Sequence, residues 1–491
     1  MNVRRQDLEL RPDPKRVLLR PFMASVVVKP TGHAEPSRRL LDILARVLLL
    51  DDATVETTLE NVLHEFHERH EDIRAIFLDR YNKMAPLLPV DGAVSKPRKL
   101  LIGSYFTNEY SLESSALFNP SIVPAPDQSG LGPGELRFIL SLRATGEGHI
   151  SSITFRSGIA APDGTVRLDP VNRFVHSPRP EPAADYDLAL VRRKLHEMGI
   201  EHDAAKRATS ELPQTFHMGE LVARVVRLRR EDVPSEVLRA GEQALHLAEA
   251  NYSVRFKVGL HMAEKVLFPY SPLESNGIED ARFVRFRNDD GSFVYYATYT
   301  AYNGNTIFPQ IVETRDFCTF RVSTLNGPAV TNKGFALFPR KINGLYAMLG
   351  RQDGENIHLM FSDHPYFWYE SKVIVRPSKP WEFTQLGNCG SPIETEAGWL
   401  VLTHGVGPMR KYCIGAVLLD RADPSRIIGR LQEPLLGPAP DEREGYVPNV
   451  VYSCGALIHR DTLILPYAVS DTATRFASID LNELLSGVRA R

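Results

Sequence analysis

The chain predicts a mainly β protein: a five-bladed β-propeller with a helical N-terminal extension and a helical insertion in the first-blade region. Three observations carry this. From residue 251 to the C-terminus, strand texture runs without a helical interruption. Within it a weak repeat recurs, "ETRDFCTFRVST" (313–324), "MFSDHPYFWYES" (360–371), "VLLDRADPSRIIGR" (417–430) and "ASIDLNELLSG" (477–487), at intervals of roughly 45 to 60 residues, the spacing of a propeller blade. Between the repeats lie paired apolar runs with turn signals such as "KINGLY", "EAGW" and "HRDT". A β-sandwich is the competing architecture, and the repeat length argues against it.

Residues 1–97 read as the helical extension. "SRRLLDILARVLLL" and, after the "DDAT" break, "TTLENVLHEFHERHEDIRAIFLDRYNKMAPLL" set apolar residues on helical stripes. Residues 98–170 read as the first blade region, in the short β-like runs "KLLIGSYF", "SALFNPSIV", "ELRFILSLRA" and "HISSITFRSG". Residues 171–250 read as the helical insertion, with Pro-rich "HSPRPEPAAD" leading into "DYDLALVRRKLHEMGI" and "SEVLRAGEQALHLAEANY". Residues 251–491 supply the remaining blades.

The bulk numbers exclude several classes. With 58 Lys+Arg against 60 Asp+Glu, the net charge of −2 draws the chain neither to nucleic acid nor to an anionic membrane. At 43% hydrophobic and 24% charged residues it has the balance of a soluble globular protein. The segment "MNVRRQDLELRPDPKRVLLRPF" has no apolar h-region, so no signal peptide is expected, and "VLLL" at 47–50 is too short to cross a bilayer. Cys318, Cys389, Cys413 and Cys454 form no CxxC pair, which argues against a zinc knuckle. Free buried thiols in a reducing cytoplasm are the expectation.

"HEFHERH" (64–70) spaces His64, His67 and His70 three apart, not the four-residue spacing of HExxH, and its charged surroundings read as a solvated helix face. No metal is expected. "NGNTIF" and "GVGPMRKY" bear glycines but do not match a phosphate-cradling loop, and read as turns. A second group of motifs is different: "FNPSIV", "GIEDAR", "YYATYTAYNG", "NKGFALFPRKINGLYAMLGR", "SPIETEAGWLVLTHGV" and "YAVSDT". Each alone is a turn with a capping Asp or Asn as readily as a site. Loops at one end of successive blades converge, however. Together they would offer the carboxylates Asp280 and Asp471, the cations Arg282, Lys333, Arg351 and His404, and the aromatics Tyr299, Tyr302 and Tyr412. That assembly suits a sugar and an anion.

In this order the motifs resemble glycoside hydrolase family 130, the β-mannoside phosphorylases and related β-mannosidases. The resemblance rests on "FNP", "GIED" with Arg two residues on, "YTAY-G", "LFP-KINGLY-ML-R", "PIET--GWL---HGV", "LLD--DPS-IIGR", "NVVY-CGA" and the Asp of "YAVSDT", and covers about 98–160 and 250–488. It implies a five-bladed propeller that cleaves β-mannosidic bonds with inversion, with no cofactor. Asp280 would be the proton donor, reaching the glycosidic oxygen through a sugar hydroxyl, with Ala281 where the family carries proline. A raised pKa is expected for it, from an apolar setting or the like charge of Glu279. Asn119, Arg143, Glu279, Arg282, Tyr299, Tyr302 and Asp471 would bind the sugars.

Asn332, Lys333, Arg351, His404 and Tyr412 would bind phosphate, which in a phosphorylase is a co-substrate. Thr331 and Gln385 stand where two family cations are expected. Losing two charge-assisted contacts, each of about 1.5–3 kcal/mol, favours hydrolysis of manno-oligosaccharides over phosphorolysis to mannose 1-phosphate. Glu394 would then be the water-activating base, or equally a ligand of a sugar hydroxyl. A non-catalytic carbohydrate-binding propeller is the remaining class, against which the retained Asp280 argues. The helical segments, amphipathic and foreign to the shorter members, are expected to serve homo-oligomerisation or to roof the funnel.

Overall fold

The computed structural model describes residues 2–22, 26–28, 34–85, 94–181 and 186–489. The protein is mainly β with several helices. It divides into two compact units, one of residues 1–13, 113–171 and 176–491, the other of residues 14–112 and 172–175.

Four sheets of four or more strands build the larger unit. The largest, of eleven strands, joins an antiparallel group, Ala116–Pro124, Leu136–Thr145 and Ser151–Ala160, to a second one. The second group runs Gly277–Arg287, Phe293–Tyr302, Ile307–Thr314, Thr319–Thr324 and Tyr252–Arg255. Between Ser151–Ala160 and Gly277–Arg287 the register has one parallel pair, Gly277 opposite Ser151. Next comes a four-stranded sheet, Ala336–Leu337, Tyr346–Gly350, Ile357–Ser362 and Lys372–Val375. A five-stranded sheet centres on the hairpin Gly398–Val406 with Tyr412–Leu419, and another on Thr462–Val469 with Ala473–Asp480. Central strands such as Phe293–Tyr302, "FVYYATYTAY", are aromatic and β-branched and bury every interior position, so both faces are packed.

The last sheet is completed by Val3–Leu10, antiparallel to Ala473–Asp480, with Val3 opposite Ile479 and Leu10 opposite Thr474. The first residues of the expected helical extension are therefore a strand. An open hairpin edge presents unpaired N–H and C=O groups, and the N-terminal segment satisfies them.

A second repeat, not visible as texture, recurs at short 3-10 turns before three of the sheets. Glu274, Glu382 and Glu442, each fully buried, accept backbone N–H groups from the residues three or four before them. Each also ties to a sheet side chain: Tyr299 Oη at 2.6 Å to Glu274, Arg430 Nη2 at 2.6 Å to Glu382, and Tyr467 Oη at 2.6 Å to Glu442. A buried carboxylate is tolerated because these donors compensate its desolvation.

The helices Leu188–Glu197, His202–Ala208, Met218–Leu228 and Ser235–Glu249 bury a core of their own around Leu195, Phe216, Leu221, Val225, Ala240 and Leu247. In the smaller unit Arg38–Leu48, Asp52–Phe66, Ile73–Met84 and Lys96–Tyr105 pack on one another. Ser37, Asp51 and Asp72 cap the first three through side-chain oxygens. The run "KLLIGSYF", expected as strand, is the body of the fourth helix, started by Ser95 and Pro97. His70, from the discarded histidine motif, is buried against Glu109 with Nε2 at 2.7 Å from its Oε1. All four cysteines carry free thiols.

Candidate active site

A cavity of about 310 Å³ in the larger unit is lined by residues from every one of its large sheets. Backbone geometry aims them. Asn119 and Asp280 each sit at a β-bulge, where the register slips between Phe118 and Ser121 and between Glu279 and Arg282. Both take left-handed backbone, φ 48° and 56°. Asn and Asp are the non-glycine residues that adopt this conformation most readily, because their short polar side chains bond locally. The bulges turn both side chains into one place, where Asn119 Nδ2 donates to Asp280 Oδ1 at 2.6 Å. Three hairpin loops deliver further left-handed residues: His149 (φ 59°), Arg410 (φ 55°) and Asp471 (φ 51°).

Arg143 organises the acidic side. Its Nη2 donates to Glu279 Oε1 at 2.6 Å and its Nη1 to Asp280 Oδ1 at 3.4 Å. Burial pushes the Asp280 carboxyl up, but the charges of Arg143, Lys333 and Arg282 and the Asn119 amide outweigh it and hold it below the ordinary carboxylate range. This reverses the sequence expectation: the surrounding cations favour Asp280 as a carboxylate. The raised carboxyl is Asp471, pushed up to about 6 by burial and by the neighbouring charge of Asp280, against the pull of Arg143 and Arg410.

The opposite side is cationic. Arg351 Nη1 donates to His404 Nε2 at 3.1 Å, and Gln385 Nε2 approaches the same nitrogen at 3.4 Å. Burial, then the charges of Arg351 and Arg282, hold the His404 imidazole well below its usual range. His404 is thus neutral and carries its proton on Nδ1, because Nε2 accepts. The tight packing needs a glycine: a Cβ on Gly387 would lie 2.5 Å from His404 Cε1 and 3.3 Å from Arg351 Cδ. The ring of Tyr452 stands 4.8 Å from that of His404, and Tyr412 stacks on its other neighbour side at 6.2 Å. Arg282, buried below, donates from Nη2 to Tyr452 Oη at 2.6 Å and from Nε to the Cys389 carbonyl at 3.0 Å. Four cations, Arg143, Lys333, Arg351 and Arg410, and two carboxylates, Asp280 and Asp471, line the cavity.

Of the sequence-named residues, Asn119, Arg143, Asp280, Lys333, Arg351, His404, Tyr412 and Asp471 line this cavity. Glu279 and Arg282 stand behind it, holding Arg143 and Tyr452. Asn332 is exposed and outside the lining, as is Thr331. Tyr299 and Tyr302 are corrections. Tyr299 turns into the core and donates to Glu274, while Tyr302 donates to the Gly304 carbonyl at 2.7 Å. Glu394 is a further correction: Arg340 grips it at 2.9 and 2.7 Å and Arg421 at 2.9 Å. The hydrogen bond from Arg340 holds its carboxyl low, and it lines a separate cavity. A carboxylate so engaged, and outside the Asp280 cavity, is not placed to activate a nucleophile there. His404 is not the cation the sequence suggested. The residues missed are Arg410, His149, Tyr446 and Tyr452. Arg410 lies in "GPMRKY", dismissed as a turn; its place on a hairpin equivalent to that of Asp471 was the available signal. Among the described residues no cluster of His, Cys, Asp or Glu could hold a metal ion, and no helix is long and apolar enough to cross a membrane.

Bulge-aimed carboxylates facing a guanidinium cluster on packed antiparallel sheets define a carbohydrate-active enzyme. The model of glycoside hydrolase family 130, described as β-1,4-mannooligosaccharide phosphorylase, matches residues 213–490, and the chain belongs to that family. It is 36% identical over 220 residues to a 1,2-β-oligomannan phosphorylase of Thermoanaerobacter sp., covering 43% of this chain and 71% of that one. A β-1,2-mannobiose phosphorylase of Listeria innocua is 31% identical over 247 residues, 47% of this chain and 66% of its own. A β-1,4-mannooligosaccharide phosphorylase of Ruminococcus albus is 32% identical over 193 residues, 37% of this chain and 57% of its own. The solved β-1,2-mannobiose complex of the Listeria innocua enzyme is similar at TM-score 0.45 and 22% identity, over 77% of this chain and 93% of that one.

Proposed function

We propose that the protein is an inverting β-mannoside phosphorylase built on a five-bladed β-propeller. The blade reading is supported by the eleven-stranded sheet, whose two antiparallel groups have the make-up of two blades beside the three smaller sheets. The observation that carries the function is the cationic side of the cavity. Arg410, close enough to act on Asp471, adds one cation to the lining against the two the sequence reading counted as lost, which weakens the depletion argument for hydrolysis. Glu394, the base that hydrolysis would need, is engaged elsewhere. The names of the relatives point the same way.

The chemistry follows from the charges. Lys333, which would hold phosphate, is one of the cations that keep Asp280 ionised, together with Arg143 and Arg282. A phosphate between Lys333, Arg351 and Gln385 offsets the Lys333 charge and adds an anion to the cavity, so the Asp280 carboxyl rises and takes a proton from the entering monoanion. The resulting dianion attacks the anomeric carbon on the face opposite the glycosidic bond. That bond breaks as its oxygen receives the Asp280 proton through a sugar hydroxyl, leaving α-mannose 1-phosphate and a chain one sugar shorter. Arg143 and Asn119 orient the acid; His404 and Gln385 orient Arg351. Catalysis is then armed by its own co-substrate, which water cannot do.

Three relatives are named for β-1,2-linked substrates, which makes β-1,2-mannobiose the first substrate to assay and β-1,4-mannobiose the comparison. Disaccharide consumption should rise from near zero and saturate as phosphate is added, and Asp280→Asn should abolish it. Equal turnover with and without phosphate would overturn the phosphorylase reading.

A further inference from the structure

Tyr452 has a role that neither the motif nor the family assignment supplies. Its hydroxyl accepts from Arg282 Nη2 at 2.6 Å. A guanidinium has five donors and no acceptor, so the Tyr452 hydrogen cannot point back along that contact. Among the described residues none accepts it. The phenol lines the cavity, its ring leans on His404 at 4.8 Å, and its electrostatic neighbours are Arg282 and Asp280 on one side and Arg351 on the other. Burial keeps the phenol protonated well above its usual range, so the hydrogen is present at any working pH. Arg282 itself is 4% exposed and does not line the cavity, whereas the Tyr452 oxygen it donates to does.

The geometry points to Tyr452 as a phosphate-binding residue: its hydroxyl, polarised by the buried Arg282, donates to an oxygen of the attacking phosphate beside Arg351. A hydroxyl that accepts from a cation is a stronger donor in turn, and its natural partner in a site with surplus cations is an anionic oxygen. The same donor could serve a sugar hydroxyl, which is the alternative to be separated. The inference rests on the phosphorylase reading.

The test is Tyr452→Phe, with KM measured separately for inorganic phosphate and for mannobiose. Loss of one charge-assisted hydrogen bond should raise the phosphate KM about ten- to a hundredfold and move the mannobiose KM less than threefold. A general packing defect would not split the two constants in this way. Because Tyr452→Phe leaves a buried guanidinium unpaired, the double variant Tyr452→Phe/Arg282→Met is the safeguard for folding. An apolar pair of similar volume removes the stranded charge, and the same phosphate-specific loss is expected. A phosphate KM within twofold of wild type in either folded variant, or a rise confined to mannobiose, overturns the inference while wild-type phosphorolysis stands. Wild-type enzyme that forms no mannose 1-phosphate overturns both.

Discussion

Asp471→Asn tests the electrostatics of the cavity without depending on the substrate. The Asp471 carboxyl is raised from 3.8 to about 6, by burial first and by the charge of Asp280 second. A carboxyl whose folded pKa is raised binds more protons folded than unfolded, so stability falls as pH climbs from about 4 to about 6 and stays low above that. The shift of about two pH units, at 1.36 kcal/mol each, corresponds to roughly 3 kcal/mol, and to about 2 kcal/mol once screening at the half-open cavity wall is allowed for. Asparagine has no charge to desolvate. The variant should therefore unfold at higher temperature than wild type at pH 7.5, and the difference should shrink through pH 4 and vanish below about pH 3, where Asp471 is protonated in both states. Thermal unfolding across that pH range is the assay. A variant no more stable than wild type at pH 7.5, or a difference independent of pH, would refute the placement of a destabilised acid beside Asp280. Activity should fall in the same variant, because the side chain faces the substrate cavity.

Arg143→Met removes the charge that most strongly holds Asp280 low, and contacts of 1.5–3 kcal/mol translate to about one to two pH units. The alkaline limb of kcat, which reports the acid in the substrate-bound complex and falls as that acid ionises, should move up in pH by that amount, and an unmoved limb would count against Asp280 as the donor. Gly387→Ala puts a methyl into His404 and Arg351. It should raise the phosphate KM on the order of tenfold and cost about 1–3 kcal/mol of stability; a silent variant would show that the pair is not held tightly. Glu394→Gln should change phosphorolysis less than threefold while lowering the melting temperature through the lost Arg340 and Arg421 contacts, and a hundredfold loss of turnover would restore it as a base.

The motif order made Asp280, His404 and Asp471 legible as members of one site, because those motifs recur in order along successive sheets. Their protonation was not legible. The pKa of Asp280 depends on Arg143, which lies in a different sheet group, and no local pattern reports that distance. Tyr299 failed for a simpler reason: in a strand buried on both faces, alternation carries no polarity to tell core from cavity, and Glu274 decided the direction. "KLLIGSYF" failed because a short apolar run fits strand and helix alike; Ser95 and Pro97 just before it were the deciding cap signals. Val3–Leu10 is legible only from its partner, since "VRRQDLEL" alternates too weakly to stand alone. Arg410 was hidden in a turn whose left-handed backbone, not its composition, makes it functional.

The central claim is that phosphate is the nucleophile and that its charge arms Asp280. Phosphorus NMR of enzyme, β-1,2-mannobiose and inorganic phosphate in one tube tests it most directly. The account predicts a growing α-mannose 1-phosphate signal, matched one for one by free mannose, that is absent with Asp280→Asn. Two mannoses released per disaccharide, with the phosphate signal unchanged, would contradict it.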